Sequence, residues 1–291
     1  MKIKSLERIL KPVGVVFDEV KHTYTASDGS LYTGCTTISE AWAKDFLAPW
    51  YAKEMFLEAS RRIGEISLAF RGAKEPSAAL KILEECKGAA ARKSAQSRED
   101  GKEAHGEMER MVCAKIENKK TYRAKKLSTL EAKNAVSAFV KWVKGNKVEW
   151  LASEEILANH EYKVGGTLDA IAVVDGITYL VDFKTSGQIS PSYLLQCAGY
   201  DVMLREMGLQ VMGYLILRCP KDGSDAETLT ITNQDDMKFF RETFLKMREA
   251  HKFFVYMENK FKDATTRKMK VDEVAKVAIK KTTSHGKSQN R

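Results

Sequence analysis

The residues of this sequence best placed to do chemistry are Asp169, Asp182 and Lys184, all within the stretch Gly165 to Lys184, GGTLDAIAVVDGITYLVDFK. Asp175-Gly176 suits a two-residue type I′ turn, whose central positions both need positive φ, and apolar runs flank it on either side. A hairpin closed at that turn places Asp169 directly opposite Asp182. Like charges facing each other across a ladder, with Cβ atoms roughly 4.5–5.5 Å apart, destabilise the pair unless something positive lies between them. A divalent cation held by both carboxylates meets that need. Lys184 lies two residues beyond Asp182 and projects from the same face, within reach of whatever the metal binds. The other face carries Leu168, Ala170, Ala172, Val174, Ile177, Tyr179, Val181 and Phe183, and is predicted to be core. A lone aspartate near a strand end, or a D-x-K tripeptide, is common and usually sits in a turn or in solvent. What distinguishes this set is an aspartate inside an apolar strand, a second in register with it, and a lysine of matching parity.

Further residues extend the pattern in chain order. Gly166-Thr167-Leu168-Asp169, Asp182-Phe183-Lys184, and then Gln196 and Tyr200 resemble the G-x-x-D, (D/E)-x-K and Q-x-x-x-Y motifs of RecB-type nucleases in the PD-(D/E)XK superfamily. Upstream, Gly101-Lys102-Glu103-Ala104-His105 followed by Glu109 resembles the G-x-x-x-H-x-x-x-E helix motif of the same group. Two positions depart: Leu168 stands where the superfamily's name has proline, and Asp182 where glutamate is commoner. Neither departure removes a ligand. The segment HTYTASDGSLYTGCTTISEAW, followed by FLAPWYAKEM, resembles the N-terminal part of phage and prophage exonucleases, a texture shared with mitochondrial genome maintenance exonucleases.

The resemblance implies an α/β fold, a restriction-endonuclease-like αβββαβ core with a mixed central sheet flanked by helices, plus an N-terminal helical region. It implies Mg²⁺ or Mn²⁺ held by His105, Asp169, Asp182 and the Phe183 backbone carbonyl, with Glu154 preferred over Glu155 as an additional acidic ligand. Lys184 would orient or deprotonate the attacking water. Gln196 and Tyr200 are expected to position the DNA backbone and the lysine, with Thr185 and Ser186 also on the substrate side, and Glu109 and Gly166 in support. The expected activity is exonucleolytic hydrolysis of DNA in phage-like replication, recombination or repair, with a single-strand-binding or recombination protein as a further partner. An endonuclease of the same fold, or a non-catalytic DNA-binding protein that keeps it, remains the alternative reading.

The elements that must carry these residues can be read from periodicity. Val15 to Tyr24 and Leu31 to Thr33, around Asp28-Gly29, read as a small peripheral hairpin. Trp42, Phe46, Trp50, Tyr51 and Phe56 recur at near-helical spacing, a stripe that suits core packing better than a nucleic-acid stacking platform. Residues 77–117 read as two helices interrupted near Gly88, with Leu80, Ile82, Leu83, Met108, Met111 and Val112 apolar; His105 and Glu109, at i and i+4, share a face of the second. A helix over 128–144 presents Leu130, Ala135, Phe139, Trp142 and Val143, and Val148 to Ala158 leads into the hairpin as a strand. Ser190-Pro191 gives an N-cap and a first-turn proline to a helix ending near Gly208. Strands Val211 to Arg218 and Glu227 to Thr232 follow, and a helix from Gln234 to Phe261 closes the domain. The organisation expected is an N-terminal hairpin and helical region over 1–76, the nuclease core over 77–262, and a basic, partly disordered tail over 263–291.

At 291 residues, with 44% hydrophobic and 30% charged residues, the chain can bury a substantial core. The sequence shows neither a signal peptide nor an apolar run long enough to span a membrane, so a cytoplasmic protein is expected. Five scattered cysteines without C-x-x-C spacing argue against disulfides, zinc ribbons and an Fe–S cluster. The net charge of +9 suits an acidic partner such as DNA, yet +7 of it falls between Lys260 and Arg291. A second basic cluster, Lys115, Lys119, Lys120, Arg123, Lys125 and Lys126, either lines a nucleic-acid path or is a solvated helix end.

Overall fold

The computed structural model describes residues 13–41, 47–71, 77–119 and 121–285, with side chains described as far as residue 262. Trp42, Phe46, Lys120 and residues 286–291 lie outside them. The chain forms two compact units, Met1–Phe244 and Leu245–Arg291.

The first unit opens with three short strands, β1 (Val15–Asp18), β2 (Thr23–Ala26) and β3 (Leu31–Gly34). Helices α1 (Cys35–Ser39), α2 (Leu47–Arg61), α3 (Ile63–Arg71), α4 (Ser77–Lys87), α5 (Ala89–Ile116) and α6 (Leu130–Gly145) follow. Then come β4 (Val148–Asn159), β5 (Val164–Val174), β6 (Ile177–Lys184), α7 (Pro191–Glu206), β7 (Gly213–Arg218) and β8 (Glu227–Ile231). Helix α8 (Gln234–His285) begins in this unit and continues through the second. The order α6-β4-β5-β6-α7-β7 is the αβββαβ order of the restriction-endonuclease-like fold. Its sheet is mixed: β4, β5 and β6 are antiparallel, β6 and β7 parallel, β7 and β8 antiparallel. Among the described residues no helix is long and apolar enough to cross a membrane.

The turn at the centre forms as its residues require. Asp175 and Gly176 have φ of 49° and 87°, the two positive values of a type I′ turn, and the ladder runs from Val174↔Ile177 to Ala170↔Val181. Extended by one position that register would put Asp169 opposite Asp182, but the ladder stops at Ala170↔Val181. The face of Ala170, Ala172, Val174, Tyr179, Val181 and Phe183 packs on Ala104, Met108 and Val112 of α5 and on Ala132, Ala135, Ala138 and Phe139 of α6. Ile177, expected in this core, is 39% exposed because it sits against the turn, beyond the cover of either helix. Leu130 is exposed for a similar reason: it is the first residue of α6, just after the N-cap Thr129, whose hydroxyl accepts from Ala132 N.

Four further expectations need correction. The N-terminal strands are not peripheral, since β3 pairs in parallel with β5 through Thr33↔Val164 and Gly34↔Gly165. Tyr24 lies so close to Gly165 that a Cβ there would meet its ring at 2.6 Å, so the glycine is what lets this small sheet join the large one. The aromatic stripe is not core: Tyr51 and Phe56 are 45% and 68% exposed and Trp50 is half-buried, while the buried position of α2 is Glu54, paired with Lys93 at 2.7 Å. Helix α4 buries Ala79 and Cys86 and leaves Leu80 and Leu83 exposed, because its covered side is the one with small residues. Finally, the last helix continues past Phe261 to His285, through a stretch without glycine or proline.

Candidate active site

The site forms where the hairpin stops being a ladder. One edge of β5 is paired with β4, and the other is shared between β3 at its start and β6 from Ala170 onward. Gly166 to Asp169 fall in the gap between those two partners. Strand β6 continues instead beside β7 as far as Lys184↔Arg218. Into the gap turns the Asp169 carboxylate, and its Oδ2 accepts the Phe183 N–H at 2.6 Å, replacing a backbone partner. Because N–H and C=O of a strand residue point to the same edge, the Phe183 carbonyl faces this gap too.

Asp182 is fully buried, with 0% of its surface exposed. Its Oδ1 accepts from Lys184 Nζ at 2.8 Å, and its Oδ2 has no hydrogen-bond partner among the described residues. Burial and the nearby Asp169 raise its carboxyl to about 6, even though the Lys184 ammonium opposes the shift. Burial also pushes Asp169 up, but the imidazolium of His105 and the ammonium of Lys184 outweigh it and hold that carboxyl below the usual range. His105 Nε2 lies 3.1 Å from Asp169 Oδ2, and its Nδ1 contacts the Glu109 carboxylate. Burial disfavours the imidazolium; the two carboxylates more than reverse that, so its pKa rises well above the ordinary value. The ring rests against Phe183, with centroids 5.8 Å apart.

Helix α5 is held in place for this contact. A Cβ on Gly101 would lie 2.8 Å from Thr185 Oγ1, so the glycine lets the segment after Lys184 approach the helix one turn before His105. Lys221, in the β7–β8 connection, donates to Ser97 O at 2.7 Å and ties the same helix from another side.

Glu154 comes to the site by an unusual route. Its φ is 57° in the middle of β4, between the pairs Ser153↔Ala170 and Glu155↔Leu168, which sets it across from Asp169. A non-glycine residue in this conformation inside a strand is strained. Ligand atoms of His105, Glu109 and Glu154 lie within 4.8 Å of one another. Partial burial and the adjacent Glu109 raise the Glu154 carboxyl to about 8.

On the far side of β6, Gln196 Oε1 accepts from Lys184 Nζ at 3.2 Å, and Gln196 Nε2 donates to the Tyr200 hydroxyl at 2.8 Å. Both side chains are buried and spend these groups on one another and on the lysine, so they position Lys184 and do not reach outward. Gly166 admits this arrangement, since a Cβ there would meet the Tyr200 ring at 2.6 Å. The Ser186 hydroxyl donates to Gln188 O, and the Ser186 carbonyl accepts from Arg218, so neither group is turned to the carboxylates.

The basic loop after α5 lies along that helix. Glu107 accepts from the Tyr122 hydroxyl and Lys125 N, and Glu103 from Ser128 N and Oγ, which lays the loop along α5. Positions 103 and 107 are each two residues from His105, roughly 160° round the helix from it. The exposed Arg123, Lys125 and Lys126 are therefore anchored to the side of α5 turned away from His105.

Three residues near the site escape a motif reading. Arg218 Nη1 donates to the carbonyls of Ser186 and Gly187 at 3.0 and 3.2 Å while its other nitrogens pair with Glu227. Cys113, two turns beyond His105 on α5, has its thiol next to Ser153, Glu154 and Glu109. The Tyr193 ring lies 4.9 Å from Lys184 Nζ. Of these only Tyr193 carries a signal in the sequence, its spacing of three residues from Gln196.

No family model matches the chain, and no curated protein does. Among solved structures it is similar to the alkaline exonuclease LHK-Exo of Laribacter hongkongensis, at 12% identity and a TM-score of 0.28, covering 53% of this chain and 83% of that one. The same exonuclease in complex with dAMP aligns at 13% identity and a TM-score of 0.26, with the same coverage. A protein designated SSO0001 aligns at 17% identity and a TM-score of 0.25, over 50% of this chain and 71% of that one.

Proposed function

We propose that this chain is a metal-dependent deoxyribonuclease of RecB type that hydrolyses phosphodiester bonds from the ends of linear DNA. The observation that carries the reading is Asp182 Oδ2, a buried carboxylate oxygen without a hydrogen-bond partner among the described residues, near enough to Asp169 for that carboxylate to raise its pKa. A buried, unmatched acceptor is costly, and a charged one more so. The residues that would hold a hard divalent cation are Asp169, Asp182, the Phe183 carbonyl and His105, with Glu154 beside them; among the described residues the ligand atoms of His105, Glu109 and Glu154 lie within 4.8 Å of one another. A bound Mg²⁺ or Mn²⁺ would supply a water ionised near neutral pH and positive charge against the phosphate.

The protein's own groups divide the remaining work. His105 must be neutral to ligate, and Glu109 on its Nδ1 favours the tautomer in which Nε2, now against Asp169, would carry no proton. Lys184 has three N–H donors, of which one goes to Asp182 and one to Gln196, leaving the third for the attacking water or a phosphate oxygen. Gln196, itself held by Tyr200, fixes the direction of that third donor. The end-directed mode comes from the resemblance of the ordered motifs, and its test is direct. Linear and covalently closed DNA are incubated with Mg²⁺ or Mn²⁺ and either the wild-type protein or Asp182→Asn. Digestion of the linear form alone, absent in the variant, is the expected result. Cutting of both forms would replace the exonuclease with an endonuclease, and cutting of neither would sink the nuclease reading.

A further inference from the structure

The geometry points to Tyr193 as a positioning residue for Lys184, holding its ammonium through the face of the ring; the inference rests on the nuclease reading above. Lysine ends a flexible four-carbon stem, and a point charge with rotatable donors has no preferred direction of its own. Its direction here is imposed by three neighbours from two elements. Asp182 Oδ1 on β6 lies 2.8 Å from Nζ, Gln196 Oε1 on α7 lies 3.2 Å from it, and the Tyr193 ring centroid on α7 lies 4.9 Å from it. Tyr193, Gln196 and Tyr200 stand at i, i+3 and i+7 and so share one face of α7. The ring is placed by the start of the helix. Ser190 caps it, Pro191 fixes the first turn, and Tyr193 N donates to Ser190 O at 3.0 Å.

The ring does what neither oxygen can. Asp182 and Gln196 fix two N–H directions, but the lysine side chain is still 17% exposed, so water can compete for the ammonium. An aromatic face within about 6 Å attracts the cation and excludes water without consuming a donor. The third N–H thus stays available for the reaction. A leucine would cover similar area with no attraction for charge, whereas phenylalanine would keep the ring.

The test compares full-length wild-type protein, Tyr193→Phe and Tyr193→Leu, each checked by a melting curve. In metal-free protein carrying ¹³C-labelled lysine, the ε-methylene of Lys184, assigned from the signal lost in Lys184→Arg, is expected upfield of ordinary lysines through the ring current. It should stay there in Tyr193→Phe and return to the ordinary position in Tyr193→Leu. With linear DNA, Tyr193→Leu is expected to lower kcat about tenfold with KM little changed, while Tyr193→Phe keeps the wild-type kcat. An unchanged kcat in Tyr193→Leu, a Phe variant as impaired as the Leu variant, or an ε-methylene that ignores the substitution would each overturn the proposal. Absence of cleavage by the wild-type protein would instead sink the nuclease reading, a failure the ring-current measurement tells apart because it needs no DNA.

Discussion

Two aspartates of this protein are equally buried, and they differ in what their oxygens meet. Asp182 and Asp201 are both 0% exposed, one on β6 and the other on α7. Around Asp201 every need is met: Oδ1 accepts from Arg205 at 3.1 Å, and Oδ2 accepts from the Tyr214 hydroxyl and from Arg241, each at 2.7 Å. This carboxylate joins α7 to β7 and to the first turns of α8, and each of its oxygens has a donor. Asp182 has one cationic partner and one unmatched oxygen. Burial alone therefore does not mark a functional carboxylate. What singles out Asp182 for the proposed function is burial together with an unfilled acceptor, beside a second carboxylate.

The comparison breaks most readily at Asp182. Asp182→Asn should lower DNA cleavage by about a hundredfold or more, since it removes an anionic ligand and weakens the hold on Lys184. A variant that cleaves at the wild-type rate would place the chemistry elsewhere. Asp201→Ala should act in the opposite sense, costing about 1–3 kcal/mol of stability because it leaves the buried Tyr214 hydroxyl and the partly buried Arg205 and Arg241 without their acceptor, with activity per folded molecule retained. Denaturant unfolding of the two variants side by side decides whether the division holds. If Asp201→Ala melted like the wild type, its network would be no structural device.

A smaller effect is expected at His105. Alanine there should raise the metal concentration that supports half-maximal activity by about tenfold to a hundredfold, by analogy with losses in supported metal sites. A histidine that merely packs on Phe183 would instead lower the melting temperature and leave the metal profile unchanged. The smallest effect is one of pH. In metal-free protein the Asp182 carboxyl is raised to about 6 from an ordinary 3.8, so its ionisation costs stability only in the folded state. That cost is absent below pH about 4 and complete above about 6. In the presence of a chelator, Asp182→Asn should therefore melt a few degrees above wild type at pH 8, at about 2–4 °C per kcal/mol for a domain of this size, and the gap should close by pH 4. A gap that widened on acidification would reverse the assigned direction of the shift.

The sequence by itself determined the hairpin, its register and the order of elements around it. Those features follow from local rules: a turn dipeptide with two positive φ values, alternation along strands, and a serine–proline start to α7. Asp169, Asp182 and Lys184 were singled out by spacing, which puts them on one face of the hairpin, whereas His105 and the Gln196–Tyr200 pair were singled out by the resemblance of their motifs. What tertiary structure decided is what covers each face. Periodicity gave Tyr51, Phe56 and Leu80 the look of core, but an apolar stripe is buried only where another element lies over it, and here Glu54, Ala79 and Cys86 hold the covered positions. The joining of β3 to β5 depended on a glycine against Tyr24, a contact between residues far apart in the chain. The approach of Glu154 and Tyr193 was likewise tertiary: a positive φ inside β4 turns Glu154, and the packing of α7 beside β6 brings the Tyr193 ring to Lys184, although its spacing from Gln196 already put it on that face of the helix.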